Sequence, residues 1–235
     1  MTSAPLVKIQ DLGFAWPGQA ECLDIRHFQL APGEALFLEG PSGSGKTTLL
    51  GLLGGVQRPS RGQVRLLGQD LGALATARRD RFRVDHTGFL FQQFNLLPFL
   101  SVLDNVLLPC QFSALRRERA AARHGDPRGA ALTLLRALGL SDPALPRRPA
   151  RELSIGQQQR VAAARALIGQ PELVIADEPT SALDSDHRDA FLQLLFAECA
   201  AAGAGLLFVS HDRSLASRFN RHLTLAQLNA ARPET

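Results

Sequence analysis

Short apolar runs and longer amphipathic stretches follow one another along the chain, and the opening part holds mainly the short runs. Alternating or apolar runs bounded by Pro-Gly turns predict strands at residues 6–9, 23–30 and 35–38. The last run, Ala-Leu-Phe-Leu, is of the continuous kind that a strand buried on both faces uses. A glycine-rich loop and a stretch of helical composition over residues 47–53 follow it directly.

The middle of the chain, residues 72–151, has a different composition. It is rich in Arg and Ala and is broken by Asp-Pro pairs, and helices are predicted over residues 73–83, 102–108, 115–123 and 129–138. The densest run of Arg, residues 116–128, is expected to be the solvated face of a helix. The change of composition predicts a mostly helical lobe inserted into an α/β core.

Alternation of helices with strands resumes after this lobe. Helical stretches at residues 156–168 and 185–202 alternate with apolar runs at 173–176 and 206–210, and a last strand ends near residue 225. Such alternation predicts a mostly parallel sheet. We therefore expect a single domain over residues 1–235, with its core at about 1–91 and 152–235 and its helical lobe at about 92–151.

Composition narrows the class of protein without naming a function. Hydrophobic residues make up 45% and charged residues 20%, as in ordinary globular proteins. The net charge of +4 is small and its cations are spread along the chain, so no nucleic-acid partner is expected. The three cysteines lie far apart, as in a reduced cytosolic protein. We expect neither a signal peptide nor a membrane-spanning helix.

A glycine-rich loop between Gly40 and Thr47 fits the pattern G-x-x-x-x-G-K-[ST], with an apolar strand before it and a helix after it. Its glycines let backbone N–H groups turn towards phosphates at a helix N-terminus. Lys46 is placed to reach the β- and γ-phosphates, and the Thr47 hydroxyl to coordinate Mg²⁺. Lys46 is one of two lysines in an Arg-rich chain, and a compact ammonium fits between phosphates better than a planar guanidinium.

A second signal is an apolar strand that ends in two acids, residues 173–178. Asp177 at the carboxyl end of this strand can hold Mg²⁺ through water. Glu178, the next residue, is placed to polarise an attacking water. Taken alone, the pattern also fits a strand followed by an acidic turn, but beside the phosphate loop it predicts ATP hydrolysis.

Between these two signals, the segment Leu-Ser-Ile-Gly-Gln at residues 153–157 precedes an Ala-rich helix. Ser154 is expected near the start of that helix, where its hydroxyl and the following N–H groups can bind an anion. The segment resembles the LSGGQ signature of the ABC ATPases, and the resemblance covers essentially the whole chain. It implies a P-loop NTPase core with a mostly parallel sheet, an N-terminal antiparallel β subdomain and an inserted helical subdomain.

The resemblance also implies roles for single residues. Trp16 matches the aromatic residue that stacks on adenine, Gln92 the glutamine that contacts Mg²⁺ and senses a membrane partner, and His211 the switch histidine at the γ-phosphate. Catalytic roles are implied for Glu178, His211, Lys46 and Gln92, and metal contacts for Thr47, Gln92 and Asp177. Nucleotide contacts are implied for Trp16, Gly40, Pro41, Ser42, Gly43, Ser44, Gly45, Lys46, Thr47, Thr48, Ser154, Gly156, Gln157 and Asp184.

A larger assembly is implied as well. Two copies would pair head to tail around two ATP molecules with Mg²⁺, each phosphate loop facing the signature segment of the other copy. Asp184 would lie in the loop that crosses this dimer interface. A groove beside Gln92 and the helical lobe would pass the motion to a separate transmembrane permease. The chain would then be cytoplasmic and peripheral on the inner face of the cell membrane.

Within the family, residues 53–55, 91–98, 104–106 and 176–180 are similar to the lipoprotein-release and macrolide-export (LolD/MacB) group. They indicate a subunit that powers export or membrane extraction. Ser181 and the residue after it instead resemble amino-acid importers, so an importer ATPase stays open, as does a non-transport switch of the cell-division type.

Two further positions depart from the family pattern. Ile155 replaces the usual first glycine of the signature, and Trp16 stands where Tyr is common. Ser154 and Gly156 still supply donors, and Trp16 preserves stacking, so neither departure argues against ATP binding. The transported substrate is not encoded here, because it contacts the membrane partner.

Overall fold

A computed structural model describes residues 4–41, 43–181, 183 and 185–231. The chain divides into two compact units, Met1–Arg83 with Gly205–Thr235, and Val84–Ala204. The helical lobe expected at residues 92–151 falls inside the second unit, and its limits stay a prediction.

Nine strands and eight α-helices are assigned in the described residues. The strands are β1 (Val7–Ala15), β2 (Glu21–Leu30), β3 (Ala35–Glu39), β4 (Arg61–Leu66), β5 (Gln69–Asp70), β6 (Thr87–Leu90), β7 (Leu173–Asp177), β8 (Gly205–Ser210) and β9 (Arg221–Thr224). The helices are α1 (Lys46–Leu53), α2 (Thr76–His86), α3 (Val102–Phe112), α4 (Ala114–His124), α5 (Pro127–Ala137), α6 (Ile155–Leu167), α7 (Ser185–Ala202) and α8 (Leu225–Leu228).

The first unit contains an antiparallel sheet in the order β2-β1-β4-β5. Ile9 of β1 pairs with Phe28 on one side and Val64 on the other, and all three side chains are buried. Alternate residues of these strands therefore make one apolar face, as the period of a half-buried strand requires. This is the antiparallel subdomain that the family resemblance implies.

The same unit contains three parallel strands, with β3 between β8 and β9. Phe37 and Phe208 stack with their ring centroids 6.1 Å apart, because continuous apolar runs place large side chains on both faces of a buried strand. Glu39 is opposite both Ser210 and Thr224, so the three strands end at one edge. The loops that follow β3 and β8 consequently leave the sheet side by side.

The second unit combines the parallel pair β6-β7 with helices α3 to α7. Serine or aspartate side chains accept a hydrogen bond from a first-turn N–H group at four of its helix starts. The capping residues are Ser101, Ser113, Asp126 and Ser154. Helix α6 buries an alanine-rich face, including Ala162, Ala163 and Ala166, which lets it pack closely on its neighbours.

The predicted helices and strands are confirmed, with shifts of a few residues at their ends, and the α/β class with them. Strands β4, β5 and β6 and helix α8 were not predicted: β4 contains Arg and Gln at alternate positions, and the other three are short. The expectation of a solvated Arg face over residues 116–128 is wrong at Arg116, which is 2% exposed. No helix among the described residues has the length and apolar character needed to cross a bilayer.

Candidate functional site

The phosphate loop joins the buried strand β3 to helix α1. Gly43 and Gly45 have φ of 77° and 99°, values that glycine adopts without the steric cost of a Cβ. A Cβ at Gly40 would lie 2.8 Å from Ser44 Oγ, so this position also requires the absence of a side chain. Helix α1 begins with no side-chain cap and no acid in its first turn, which leaves its N–H groups to an anionic ligand.

Lys46 folds back over this loop. Its Nζ donates to the carbonyl oxygens of Gly40 at 2.6 Å and Pro41 at 2.8 Å. Ser44 Oγ also donates to Pro41 O, at 2.8 Å. Thr47 is exposed and Thr48 half-buried in the first turn of α1. The loop is thus preformed around the ammonium, with the exposed Thr47 beside it, as a phosphate cradle requires.

His211 follows β8 directly, just as Gly40 follows β3. Because Glu39 and Ser210 are opposite each other in the parallel sheet, Gly40 and His211 emerge at the same edge. Glu39 accepts from His222 Nε2, 2.8 Å away, when that nitrogen carries the proton, and lies 3.4 Å from Arg213 Nε. The structure therefore brings together the phosphate loop and the predicted switch histidine.

Trp16 lies just past the end of β1, and its ring contacts Phe14 edge-on with centroids 5.1 Å apart. Phe14 is opposite Leu23 in the antiparallel sheet. Leu23 in turn faces the phosphate loop, since a Cβ at Gly45 would lie 3.2 Å from its side chain. The sheet register accordingly places Trp16 at the end of the sheet that borders the phosphate loop, with 38% of its surface exposed.

The second unit holds the acidic pair. Asp177 is the last residue of β7, and Glu178 follows it, 9% exposed and with a φ of 47°. Leu90 of β6 is opposite Ala176 of β7, so Gln92, two residues past β6, leaves the same edge as the acids. The structure thus gathers Asp177, Glu178 and Gln92 at the carboxyl ends of two paired parallel strands.

The signature segment forms the start of α6. Ser154 is its N-cap and makes a reciprocal capping box with Gln157: Gln157 N donates to Ser154 Oγ at 3.3 Å, and Ser154 N to Gln157 Oε1 at 3.0 Å. Gly156 is half-buried, while Ile155 exposes 55% of its surface. The helix start presents N–H groups and a hydroxyl, the donors that an anion needs.

The amino end of β7 carries another acid in an ordered setting. Glu172, the residue before β7, accepts from Arg119 Nη2 at 2.7 Å and lies 2.9 Å from His86 Nδ1. Burial raises its pKa, but hydrogen bonds from His86 and Arg119 outweigh burial and hold the pKa at about 2. Glu172 is therefore ionised at neutral pH and fixes the end of β7 opposite to Asp177 and Glu178.

Two predicted contacts, Ser42 and Asp184, lie outside the described residues. One residue that sequence reasoning missed is Gln159, which is 1% exposed on α6 and donates to Pro179 O, next to Glu178. The sequence does contain a sign of it: Gln159 stands at helical spacing from Ala162, Ala163 and Ala166, so it is a polar residue on the apolar face of the helix.

Comparison with known proteins agrees with this arrangement. The family described as "ABC transporter" matches residues 23–181. The chain is 40% identical to the lipoprotein-releasing system ATP-binding protein LolD 1 of Rhodopirellula baltica, over 94% of this chain and 93% of that protein. It is 42% identical to the macrolide export ATP-binding/permease protein MacB of Chromobacterium violaceum, over 82% of this chain and 28% of that protein. Among solved structures, the dimeric post-hydrolysis state of the ATP-binding cassette MJ0796 bound to ADP and Pi superposes with a TM-score of 0.77 and 33% identity, covering 93% of each chain.

Proposed function

The chain belongs to the ABC transporter family, and on this premise we propose that it is the ATP-hydrolysing subunit of a transporter, powering export or membrane extraction by a separate transmembrane subunit. The relatives LolD 1 and MacB, by their names, act in lipoprotein release and macrolide export. Assignment to this group is also supported by four stretches that resemble it, residues 53–55, 91–98, 104–106 and 176–180. The proposal places this chain at the cytoplasmic face of the membrane, held there by its partner.

The observation that carries the proposal is the position of Glu178. It stands directly after Asp177 at the end of a buried parallel strand, which is where an open α/β sheet collects its catalytic groups. A carboxylate held there can accept a hydrogen bond from water and take its proton during attack. A chain that used nucleotide only as a switch would not need this acid.

In this proposal few side chains take part in the hydrolysis of ATP. A water oxygen attacks the γ-phosphorus, the bond to the β–γ bridging oxygen breaks, and Glu178 orients the water and takes its proton. Lys46 moves from the carbonyl oxygens of Gly40 and Pro41 to the phosphates, and His211 donates to the γ-phosphate as charge develops. The backbone N–H groups of residues 43–48 hold the phosphates throughout.

Mg²⁺ belongs to the same proposal. The donors available are the Thr47 hydroxyl, the Asp177 carboxylate and the Gln92 amide oxygen, and all three keep some exposure to solvent. In nucleotide sites Mg²⁺ usually binds one or two carboxylates and other oxygen donors, and phosphate and water oxygens supply its remaining ligands. Mg²⁺ would neutralise charge on the β- and γ-phosphates.

We further propose that two copies close on two ATP molecules, each phosphate loop facing the α6 start of the other copy. The dimeric state of the MJ0796 cassette supports this arrangement. Trp16 would stack on adenine, Asp184 would lie at the dimer interface, and Gln92 with residues 92–151 would form the surface that meets the permease. The exposed side chains of Leu97 and Phe99, at 47% and 78%, lie in that segment.

Replacement of Glu178 by Gln tests the catalytic assignment. We expect kcat for ATP hydrolysis to fall about 100-fold or more, because the amide cannot accept the proton, while ATP binding stays intact. Glu118→Gln, an exposed acid on α4, is the control and should hydrolyse ATP like the unaltered chain. Full activity in the Glu178 variant would remove this residue from the reaction.

Affinity purification of Glu178→Gln protein from native membranes with ATP, followed by mass spectrometry, tests the partner. A permease with few transmembrane segments and a large extracytoplasmic domain would support export or extraction. A many-spanning permease with a solute-binding protein would instead identify an importer. Recovery of no membrane protein would overturn the proposed coupling and leave the soluble switch.

A further inference from the structure

The backbone at Glu178 is held in an unusual conformation. Its φ of 47° lies in the left-handed region, which is strained for a non-glycine residue. Such a conformation persists only where surrounding contacts enforce it. Glu178 is also buried, so packing together with the backbone conformation restricts the direction of its carboxylate. The contacts that fix this turn therefore bear on where the carboxylate points.

One of these contacts comes from α6. Gln159 Nε2 donates to the carbonyl oxygen of Pro179, the residue directly after Glu178, and both Gln159 and Pro179 are buried. The turn's own backbone bond, Ser181 N to Glu178 O, is long at 3.3 Å. A buried amide that loses its acceptor destabilises the fold, so the bond from Gln159 restrains the turn.

Gln159 lies on the same helix as the signature. It follows Ser154, the N-cap, by little more than one turn of α6. The carboxyl end of α6 is anchored too, because the buried Arg116 donates from Nε to Ile168 O at 2.7 Å and from a second nitrogen to Ala166 O. An α-helix is stiff along its length, so a tilt of the α6 start about this anchored end also displaces Gln159.

We propose that Gln159 is a positioning residue that ties the turn of Glu178 to the signature helix. When the α6 start engages ATP held by another copy, Gln159 sets the Pro179 carbonyl and hence the direction of the Glu178 carboxylate. Hydrolysis is thereby favoured once the signature is docked. This inference rests on the proposed function, since it assumes that Glu178 acts on water in an ATP-bound dimer.

Gln159→Met is the first test, because methionine keeps the side-chain volume and removes the donor. We expect kcat to fall about 10-fold, with the KM for ATP changed less than 2-fold and ATP-induced dimerisation preserved. The matched control is Gln158→Met, the adjacent residue, whose Nε2 donates to Leu153 O at 3.0 Å, just before the start of α6, and not to the turn of Glu178. Its kcat should stay within 2-fold of the unaltered chain, and thermal unfolding should confirm that both variants fold.

Gln159→Glu is the second test and adds a pH profile. A buried carboxyl group has a raised pKa, and only its protonated form can donate to Pro179 O. The ratio of its kcat to that of the unaltered chain should therefore rise as the pH falls from 8 to 6. The same ratio for Gln158→Glu should stay flat.

Unchanged kcat in Gln159→Met overturns the proposal. So does a fall in kcat accompanied by an equal loss of ATP affinity or of the dimer, because that result describes a purely structural residue. Absence of turnover in the unaltered chain would count against the proposed function itself, which the variants do not address.

Discussion

The ammonium group of Lys46 is expected to exchange its hydrogen-bond partners when nucleotide binds. It donates to the carbonyl oxygens of Gly40 and Pro41 in the structure, and these bonds must give way to phosphate oxygens when ATP binds. Charge-assisted hydrogen bonds contribute roughly 1.5–3 kcal/mol. We therefore expect Lys46→Ala to weaken ATP binding by about 10- to 100-fold, as measured by titration calorimetry.

Lys8→Ala supplies the matched control for this change, because Lys8 is the other lysine of the chain and lies on β1. It removes the same charge and stem but no donor from the loop, so ATP affinity should stay unchanged. Equal losses in the two variants would show that net charge, and not the position of Lys46, governs binding.

The sequence predicts those functional residues whose chemistry requires a fixed spacing along the chain. Gly40, Lys46 and Asp177 belong to this class, because a loop and a strand end present them by local geometry alone. Gln159 and Arg116 do not. Their partners lie 20 and 52 residues away along the chain, at Pro179 and Ile168, so only the packing of α6 and α4 reveals them.

At the scale of elements, Glu172 joins three parts of the second unit. It connects the start of β7 to His86 at the end of α2 and to Arg119 of α4. The pKa of Glu172 is lowered to about 2 from an ordinary value of 4.5, so the ionised form stabilises the folded state. The contribution of the ionised Glu172 to the free energy of unfolding is present above pH 4.5 and is lost as the pH falls towards 2. It amounts to at most about 3 kcal/mol.

Glu172→Gln should therefore lower the free energy of unfolding at pH 7 by about 1–3 kcal/mol. The difference from the unaltered chain should shrink as the pH falls from 4.5 towards 2, because the native carboxylate is itself protonated there. Urea unfolding at a series of pH values measures both quantities. Glu118→Gln should show no difference at any pH, and a pH-independent difference at Glu172 would contradict the role of its charge.

Elements themselves were predictable where apolar periodicity is strong, as in β3, β8 and α6. Strand β4 was missed because it covers one side of β1 with Val64 and Leu66 and leaves Arg61 to solvent, so its apolar signal is short. The prediction for the Arg-rich α4 was wrong at Arg116, because its partners are carbonyl oxygens far along the chain that the local pattern does not show. Burial at 2% exposure lowers the pKa of its guanidinium to about 10, and carbonyl oxygens at the end of α6 compensate for the lost water.

At the scale of the whole molecule, the start of α6 should act only in an assembly of two copies. Within one chain, the Ser154 hydroxyl accepts from Gln157 N, and its own proton stays available for a phosphate oxygen. Ile155, with 55% of its surface exposed, lies beside it. Sequence motifs locate both the phosphate loop and the signature segment, but no spacing within a chain records that they meet between copies, and only the family resemblance implies that pairing.

Ser154→Ala, made in the Glu178→Gln background, should lose the ATP-induced dimer in analytical ultracentrifugation. Thr224→Ala is the control, because Thr224 forms the same capping box with Gln227 at the start of α8. Loss of either cap costs about 1 kcal/mol of helix stability, so a dimer kept by Thr224→Ala and lost by Ser154→Ala isolates the contact with the second copy. Ile155→Gly should keep the dimer, because the donors are the hydroxyl and the N–H groups of the helix start. Persistent dimerisation of Ser154→Ala would place the ATP-induced interface elsewhere on the chain.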